Sequence, residues 1–371
     1  MAEKKELILD LHIPYGITPI RYIDGMQLQG SNDEKNAYLM AMMREVCSWE
    51  SELSEYEIRA VRLGGGAATV MKPDLLGQLL STVRKHLPVA RYAEVSFDAL
   101  PNTIGTPSLS GIAFGNPNRA DLMMRSYREE DLRALACPFT LTDVQNAIRF
   151  FGKFHLNNLG FVIHYGIPGQ TLKNWEFTVK SCMNMQPAHI SILPLAVTDA
   201  EGMPADEARF EMFSSACSLL ESAGYLHYQA GLFCLPEHEN RFEALLHNGC
   251  DLLGLGINRL SVMDGFLTRS TNNLGIYLRH AGDYEKTTAQ ACELPREDRI
   301  RRYTAGRLRM TQGLLAEQYQ KRFETDAFPP ALEAKLQALE ADGLLQRSDT
   351  EIKPTLRGLF AADFIQTQLL N

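Results

Sequence analysis

Short apolar runs of strand length recur along the first half of the chain, each separated from the next by a segment of helical periodicity. The strand-like runs fall at 6–13, 58–63, 92–100, 108–114, 157–165 and 188–195. The helical segments fall at 34–50, 73–87, 119–136 with 140–155, and 171–185. Strands that alternate with helices pair in parallel through right-handed crossovers, because a helix has to cover each face of the sheet between one strand and the next. Six such units predict an α/β architecture, a partial (β/α)6 barrel. Functional groups in such barrels gather at the carboxyl ends of the strands. His12-Ile-Pro-Tyr15, Gly64-Gly-Gly66 and Gly166-Ile-Pro-Gly-Gln170 all fall there.

Beyond the repeating part, a helix is expected near 203–224 and mixed strands near 227–235 and 251–263. From Pro295 the chain turns to charged, amphipathic helices. The segment 330–344 repeats apolar residues at helical spacing and ends in Asp342-Gly343, a C-cap signal. These shifts divide the chain into a barrel over 1–225, a barrel extension over 226–294 and a small C-terminal helical, winged-helix-like domain over 295–371. No basic cluster marks that tail for DNA, so a packing or lid role is expected.

With 371 residues and a net charge of −8, the chain offers no broad phosphate-binding surface, and nucleic acid is not an expected partner. No apolar stretch has the length of a membrane span, and a cytoplasmic protein is expected. The seven cysteines are widely spaced and odd in number, which gives neither a disulfide framework nor a close-spaced metal motif. No metal-ligating set is read.

Several motifs follow one another in a fixed order: His12-Ile-Pro-Tyr15, Gly64-Gly-Gly-Ala-Ala-Thr69, Tyr165-Gly-Ile-Pro-Gly-Gln-Thr171, His189-Ile-Ser191, and Cys250-Asp-Leu-Leu-Gly-Leu-Gly256 preceded by His238 and Asn240. In this order the chain resembles one branch of the radical S-adenosylmethionine (SAM) superfamily. That branch holds oxygen-independent coproporphyrinogen III oxidase, a related haem chaperone and anaerobic haem-degrading methyltransferases. The resemblance implies a barrel of radical SAM type whose glycine loop, here Gly64, Gly65 and Gly66, meets the amino end of SAM.

The departures are as informative as the matches. In the superfamily three cysteine thiolates after the first strand hold a [4Fe–4S] cluster, since thiolate is the soft donor iron–sulfur chemistry needs. The tyrosine of that pattern is kept as Tyr22, but the cysteine positions hold Gly16, Ile20 and Ile23. The Gln of the family's Gly-Val-Gln-Ser-Phe strand is matched to Ala113, within Gly111-Ile-Ala-Phe-Gly115, and a further arginine to Arg125. The Asp of its Asp-Leu-Ile-Tyr-Gly strand is Val162, and its Glu is shortened to Asp98. No [4Fe–4S] cluster is therefore expected, and SAM binding is expected to be weak or absent.

Two classes of function follow from the resemblance and its gaps. One is a carrier that binds a tetrapyrrole, haem or porphyrin, without radical chemistry. The other is a repurposed barrel enzyme that runs a polar reaction on a small molecule or SAM. Partners are then a small ligand in the barrel mouth and an intact paralogue or pathway enzyme. As acid, base and anchoring groups the candidates are His164, Tyr165, Arg125 and Asp98. As ligand-holding groups they are His12, Tyr15, Gly64, Gly65, Gly66 and Gln170. His164 stands beside the lost aspartate and shares the inward face with Val162. It reads either as an axial haem ligand or general base, or as a satisfied core histidine.

Overall fold

The computed structural model describes residues 4–17, 20–21, 28–196, 201–325 and 330–371. Tyr22 and Ile23 lie outside the described residues. Six parallel strands form the centre: β1 (Lys5–His12), β2 (Tyr56–Gly64), β3 (Val89–Ala99), β4 (Arg119–Arg125), β5 (Leu159–Tyr165) and β6 (His189–Pro194). They pair in sequence order, and a further strand at Asp251–Leu255 pairs in parallel with β1 on the other side. Antiparallel strands extend both edges, at Leu226–Gln229 with Leu232–Cys234, and at Leu260–Met263, Phe266–Ser270 and Thr288–Glu293.

The alternation within β1 shows how the sequence builds this sheet. Leu7, Leu9 and Leu11 pack in the main core with the helices, while Ile8, Asp10 and His12 take the opposite face. Both faces are buried, as a parallel sheet covered by crossover helices demands. Helix α1 (Asn32–Ser48) starts where Ser31 accepts from the amide of Glu34 at 3.2 Å, with Asp33 and Glu34 in its first turn. Helix α2 (Pro73–His86) opens on a proline and buries Leu76, Leu79, Leu80 and Val83.

One expected strand is a helix. Residues Thr106–Ala113 form α3, with Pro107 near its start, and the fourth strand is β4, inside the segment read as helical. A short apolar run is ambiguous by periodicity. Here the close approach of two helices decides it: a Cβ on Gly111 would sit 2.5 Å from Pro73 of α2, and one on Gly77 would sit 2.2 Å from the carbonyl of Gly111. Ala113 is an exposed helical residue and cannot occupy a strand position over the barrel mouth.

The C-terminal unit has its own core, with Tyr303, Leu308, Leu336, Leu339, Ile352 and Ile365. Helices packed on a small three-stranded sheet (Leu314–Leu315, Leu345–Arg347 and Glu351–Pro354) give it a winged-helix-like form. Gly343, at φ +72°, ends the helix Glu333–Ala341 as its C-cap position anticipates.

Beneath the end of β1 a buried carboxylate ties three elements together. Glu45 of α1 accepts from the amide of Gly256 at 3.0 Å and from the hydroxyl of Tyr277 at 2.6 Å. Tyr38 donates to the carbonyl of His12 at 2.8 Å and accepts from the amide of Ile257 at 3.1 Å. Burial pushes the Glu45 carboxyl up to about 7, against the pull of its two donors. A carboxyl raised in the folded state binds its proton more tightly there than in the unfolded chain. Stability from this group is therefore present at low pH and declines as pH rises through about 4.5 to 7. Glu45→Gln is expected to flatten that decline, worth about 3 kcal/mol at most, in urea unfolding followed across this pH range.

Candidate functional site

A cavity of about 360 Å³ opens at the carboxyl ends of β1 to β6. Strand periodicity supplies its walls, because alternate residues face inward: Asp121, Met123 and Arg125 from β4, Val162 and His164 from β5, Ser191 and Leu193 from β6. Gly65, Gly66 and Ala67 after β2 form one rim, and Gly16 and Ile20 after β1 form another. Gly65 is in the left-handed region at φ +98°, and a Cβ there would stand 2.0 Å from Nδ1 of His12. Only glycine meets both demands.

Most of the charges in this cavity are matched. Arg62 reaches Asp98 at 3.2 Å and Glu243 at 3.6 Å. Arg119, fully buried, holds Asp121 through Nε and Nη2, both at 3.2 Å. Arg309 pairs with Asp363 at 2.5 Å. Burial works to raise the Asp98 carboxyl and outweighs Arg62, whereas Arg119 overcomes burial and holds Asp121 low.

Arg125 is the exception. It is 9% exposed, and among the described residues no carboxylate lies within ion-pair distance of it. Its Nε has no hydrogen-bond partner, and its Nη1 lies 3.5 Å from Nε2 of His164. The backbone there is irregular too. The β4–β5 register shifts between Leu122 and Arg125, and Arg125 itself sits at φ +65°. A bulge that re-aims a side chain, in a conformation non-glycine residues rarely adopt, is characteristic of functional sites. His164 is 3% exposed, and its Nδ1 also lacks a partner. Burial, with Arg125 adding to it, pushes its pKa well below the ordinary histidine value, so the ring is neutral.

A second cleft, about 670 Å³, adjoins this cavity and shares His164, Leu193, Ala230 and Arg309 with it. Phe213, Leu359, Phe360 and Phe364 make its far side, so it runs between the ends of β5 and β6 and the C-terminal helices.

The expected site residues separate into two sets. Asp98, Arg125, His164, Gly65 and Gly66 meet around the cavity. Gly64 lies at the end of β2 behind them, where a Cβ would strike Asp98 at 2.6 Å. Three others are turned into the protein. Tyr165 alternates away from His164 and packs its ring with Trp175, Phe213 and Phe360. Tyr15 is fully buried, edge-on to Tyr38, with its hydroxyl 3.3 Å from Glu34. Gln170 accepts from the amide of Gly166 at 2.9 Å and donates to Asp131 at 3.1 Å, which spends its amide on clamping the loop after β5. His12 is buried against Gly65, and burial followed by Arg62 lowers it to about 4. Sequence reading did not single out Arg62, Asp121, Glu243 or Arg309. The period-2 pattern of β2 and β4 was the available signal for the first two.

The open barrel of six parallel β/α units with its C-terminal helical unit matches the fold of a known radical SAM enzyme. The likenesses to known proteins sharpen that class. Residues 294–361 match the HemN C-terminal domain. The chain is 20% identical to the heme chaperone HemW of Lactococcus lactis over 84% of both chains. It is 22% identical to HemW of Escherichia coli, over 77% of this chain and 81% of that one. To the oxygen-independent coproporphyrinogen III oxidase of Pseudomonas aeruginosa it is 22% identical, over 95% of this chain and 83% of that one. The crystal structure of coproporphyrinogen III oxidase (HemN) from Escherichia coli, a radical SAM enzyme, superposes with a TM-score of 0.83 at 19% identity, over 99% of this chain and 90% of that one. Together these are likenesses to HemN and HemW proteins, and the superposition shows that the chain has the fold of HemN. No helix among the described residues is long and apolar enough to cross a membrane.

Proposed function

We propose that this chain is a cluster-free relative of the radical SAM proteins that binds a tetrapyrrole, haem or porphyrin, at its barrel mouth and performs no radical chemistry. The carrying observation is Arg125, a buried cation with no ion-pair partner among the described residues, held in a left-handed bulge beside a neutral, half-satisfied His164. A buried charge without a partner costs several kcal/mol, and an anionic ligand offsets that cost. A carboxylate edge of a porphyrin suits Arg125, and drawing the guanidinium away frees the Nε2 lone pair of the neutral His164 ring for an iron centre. The adjoining aromatic cleft supplies apolar surface for a large ring. Heme chaperones among the relatives support the same reading.

The donor chemistry of this chain does not fit a [4Fe–4S] cluster. Gly16 and Ile20 line the cavity and carry no donor atom, and Ile23 carries none either. Burial pushes the thiol of Cys137, which interacts with Arg125, up to about 12, so it stays protonated. The strand that corresponds to the family's Gly-Val-Gln-Ser-Phe pattern is β4 with its exit, Met123-Met124-Arg125-Ser126-Tyr127. Arg125, rather than Ala113, then stands in the place of the SAM-contacting glutamine. A cationic group there favours an anion over SAM's sulfonium.

Titration with haem, followed at the Soret band, tests this reading. The wild-type protein is expected to give a saturable shift, and His164→Ala to weaken it at least tenfold with a different band position. Absence of any saturable shift in the wild type would reject the reading.

A further inference from the structure

We infer that the cleft between the amino-terminal end of the sheet and the C-terminal unit is a second ligand site, which takes an organic polyanion with an apolar body. This cavity, about 830 Å³, lies at the opposite end of the strands from the barrel mouth, where Cys250, Asp251 and Leu252 begin the strand beside β1. Its volume falls in the range that encloses small molecules.

Arginines from two helices converge on it. Arg296, Arg299 and Arg302 come from the helix Arg296–Arg307, and Arg322 from Ala316–Phe323. The first three are spaced three residues apart, which keeps them along one side of the helix. The same helix carries an arginine for comparison. Arg301, which does not line the cavity, is matched by Asp298 at 3.0 Å and Glu297 at 3.9 Å. Among the described residues, none of the four cavity arginines has a carboxylate within ion-pair distance.

Two of the four are held in place. Arg322 donates to the carbonyl of Gly249 at 2.5 Å and stacks over the Tyr303 ring at 5.0 Å, and Arg296 donates to the carbonyl of Phe323. Arg299 and Arg302 are exposed and keep their forks for a ligand. Of the acids in the cleft, Asp264 is already taken by Lys5 and Tyr56, each at 2.5 Å, and Asp251 accepts from the amide of Asp264 at 3.2 Å. Asp251 and Glu324 are the lining carboxylates without a side-chain cation on them among the described residues. Four arginines against three lining carboxylates, one of them paired with Lys5, leave this cleft cationic in a chain of net charge −8. The floor between the arginines is apolar, made by Leu252, Val262, Leu294 and Phe323. Guanidinium forks around an apolar floor recognise carboxylate or phosphate groups attached to a hydrophobic body.

The test is calorimetric titration of the full chain at low salt with three probes: hexadecanedioate, ATP and inorganic pyrophosphate. Hexadecanedioate or ATP is expected to bind saturably and at least tenfold tighter than pyrophosphate, and which of them binds tells carboxylate from phosphate. Arg299→Ala/Arg302→Ala, at exposed positions, is expected to weaken that binding at least tenfold while leaving the His164-dependent Soret shift unchanged. Raising the salt is expected to weaken the wild-type binding as well. No saturable binding of either organic probe, pyrophosphate bound equally well, or an undiminished affinity in the double variant would each overturn the proposal. The part of the Soret shift that His164→Ala removes reports on the barrel mouth, so failure of that reading and failure of this site are distinguishable.

Discussion

Arg125→Met is expected to stabilise the ligand-free protein by about 1–3 kcal/mol while weakening haem binding at least tenfold. The two effects share one cause. Among the described residues no carboxylate pairs with the guanidinium, and burial outweighs the longer-range pull of Asp98 until an anion arrives. Methionine of similar length fills the same space and removes the charge. It keeps the left-handed backbone at this position, so any gain comes from the charge rather than from relieved strain. Urea unfolding of the free protein and a Soret titration measure the two sides separately. A variant that is less stable than the wild type and binds haem equally well would show Arg125 to be a structural residue.

Arg119→Ala is expected to lose about 3–5 kcal/mol, the largest loss of any single polar substitution in the barrel. Arg119 is fully buried between Asp121 and Glu94 and also donates to the carbonyl of His238 at 3.3 Å. Removing it leaves two buried carboxylates facing each other. Burial already holds the Glu94 carboxyl high, and one of its oxygens is unpartnered. Adding Asp121→Asn to the Arg119 variant removes one of those charges, so the double variant is expected to recover part of the loss rather than add to it. Equilibrium unfolding of both single variants and the double variant measures the coupling. A loss under about 1 kcal/mol for Arg119→Ala would mean that water reaches this network freely.

The contrast between Arg119 and Arg125, two ends of one strand, also explains what the sequence made legible. The other five barrel strands carry enough β-branched, aromatic and leucine residues between turn residues to read correctly, although β2 and β3 also hold three charges each. The strand β4 reads Arg-Ala-Asp-Leu-Met-Met-Arg, rich in helix formers and charged at both ends and in between. Its charges are tolerated because they point into the barrel, where Arg119 and Asp121 satisfy each other and Arg125 serves the cavity. A pattern search for buried apolar residues passes over such a strand. The short run 108–114 looks like a strand instead, because seven residues cannot separate a period of 2 from one of 3.6.

The site was legible where motif and strand period agree. His164 and Val162 share the inward face, and the glycines after β2 lie against His12 and Asp98. The same period places Tyr165 on the opposite face, so its removal to the aromatic core was available from the sequence. Gln170 and Tyr15 were not so readable, since their roles depend on Asp131, Tyr38 and Glu34, which reach them only through the fold. Arg309 comes to the cavity from beyond the barrel altogether.

The proposed barrel holds a tetrapyrrole where relatives of this fold hold a cluster. Its most direct test is anaerobic reconstitution of the full chain with iron and sulfide, followed by haem titration of the same desalted sample. The expected result is no retained iron–sulfur absorption or acid-labile sulfide, and a saturable Soret shift at one haem per chain. Stoichiometric sulfide with the broad absorption of a [4Fe–4S] cluster, and no saturable response to haem, would contradict the account.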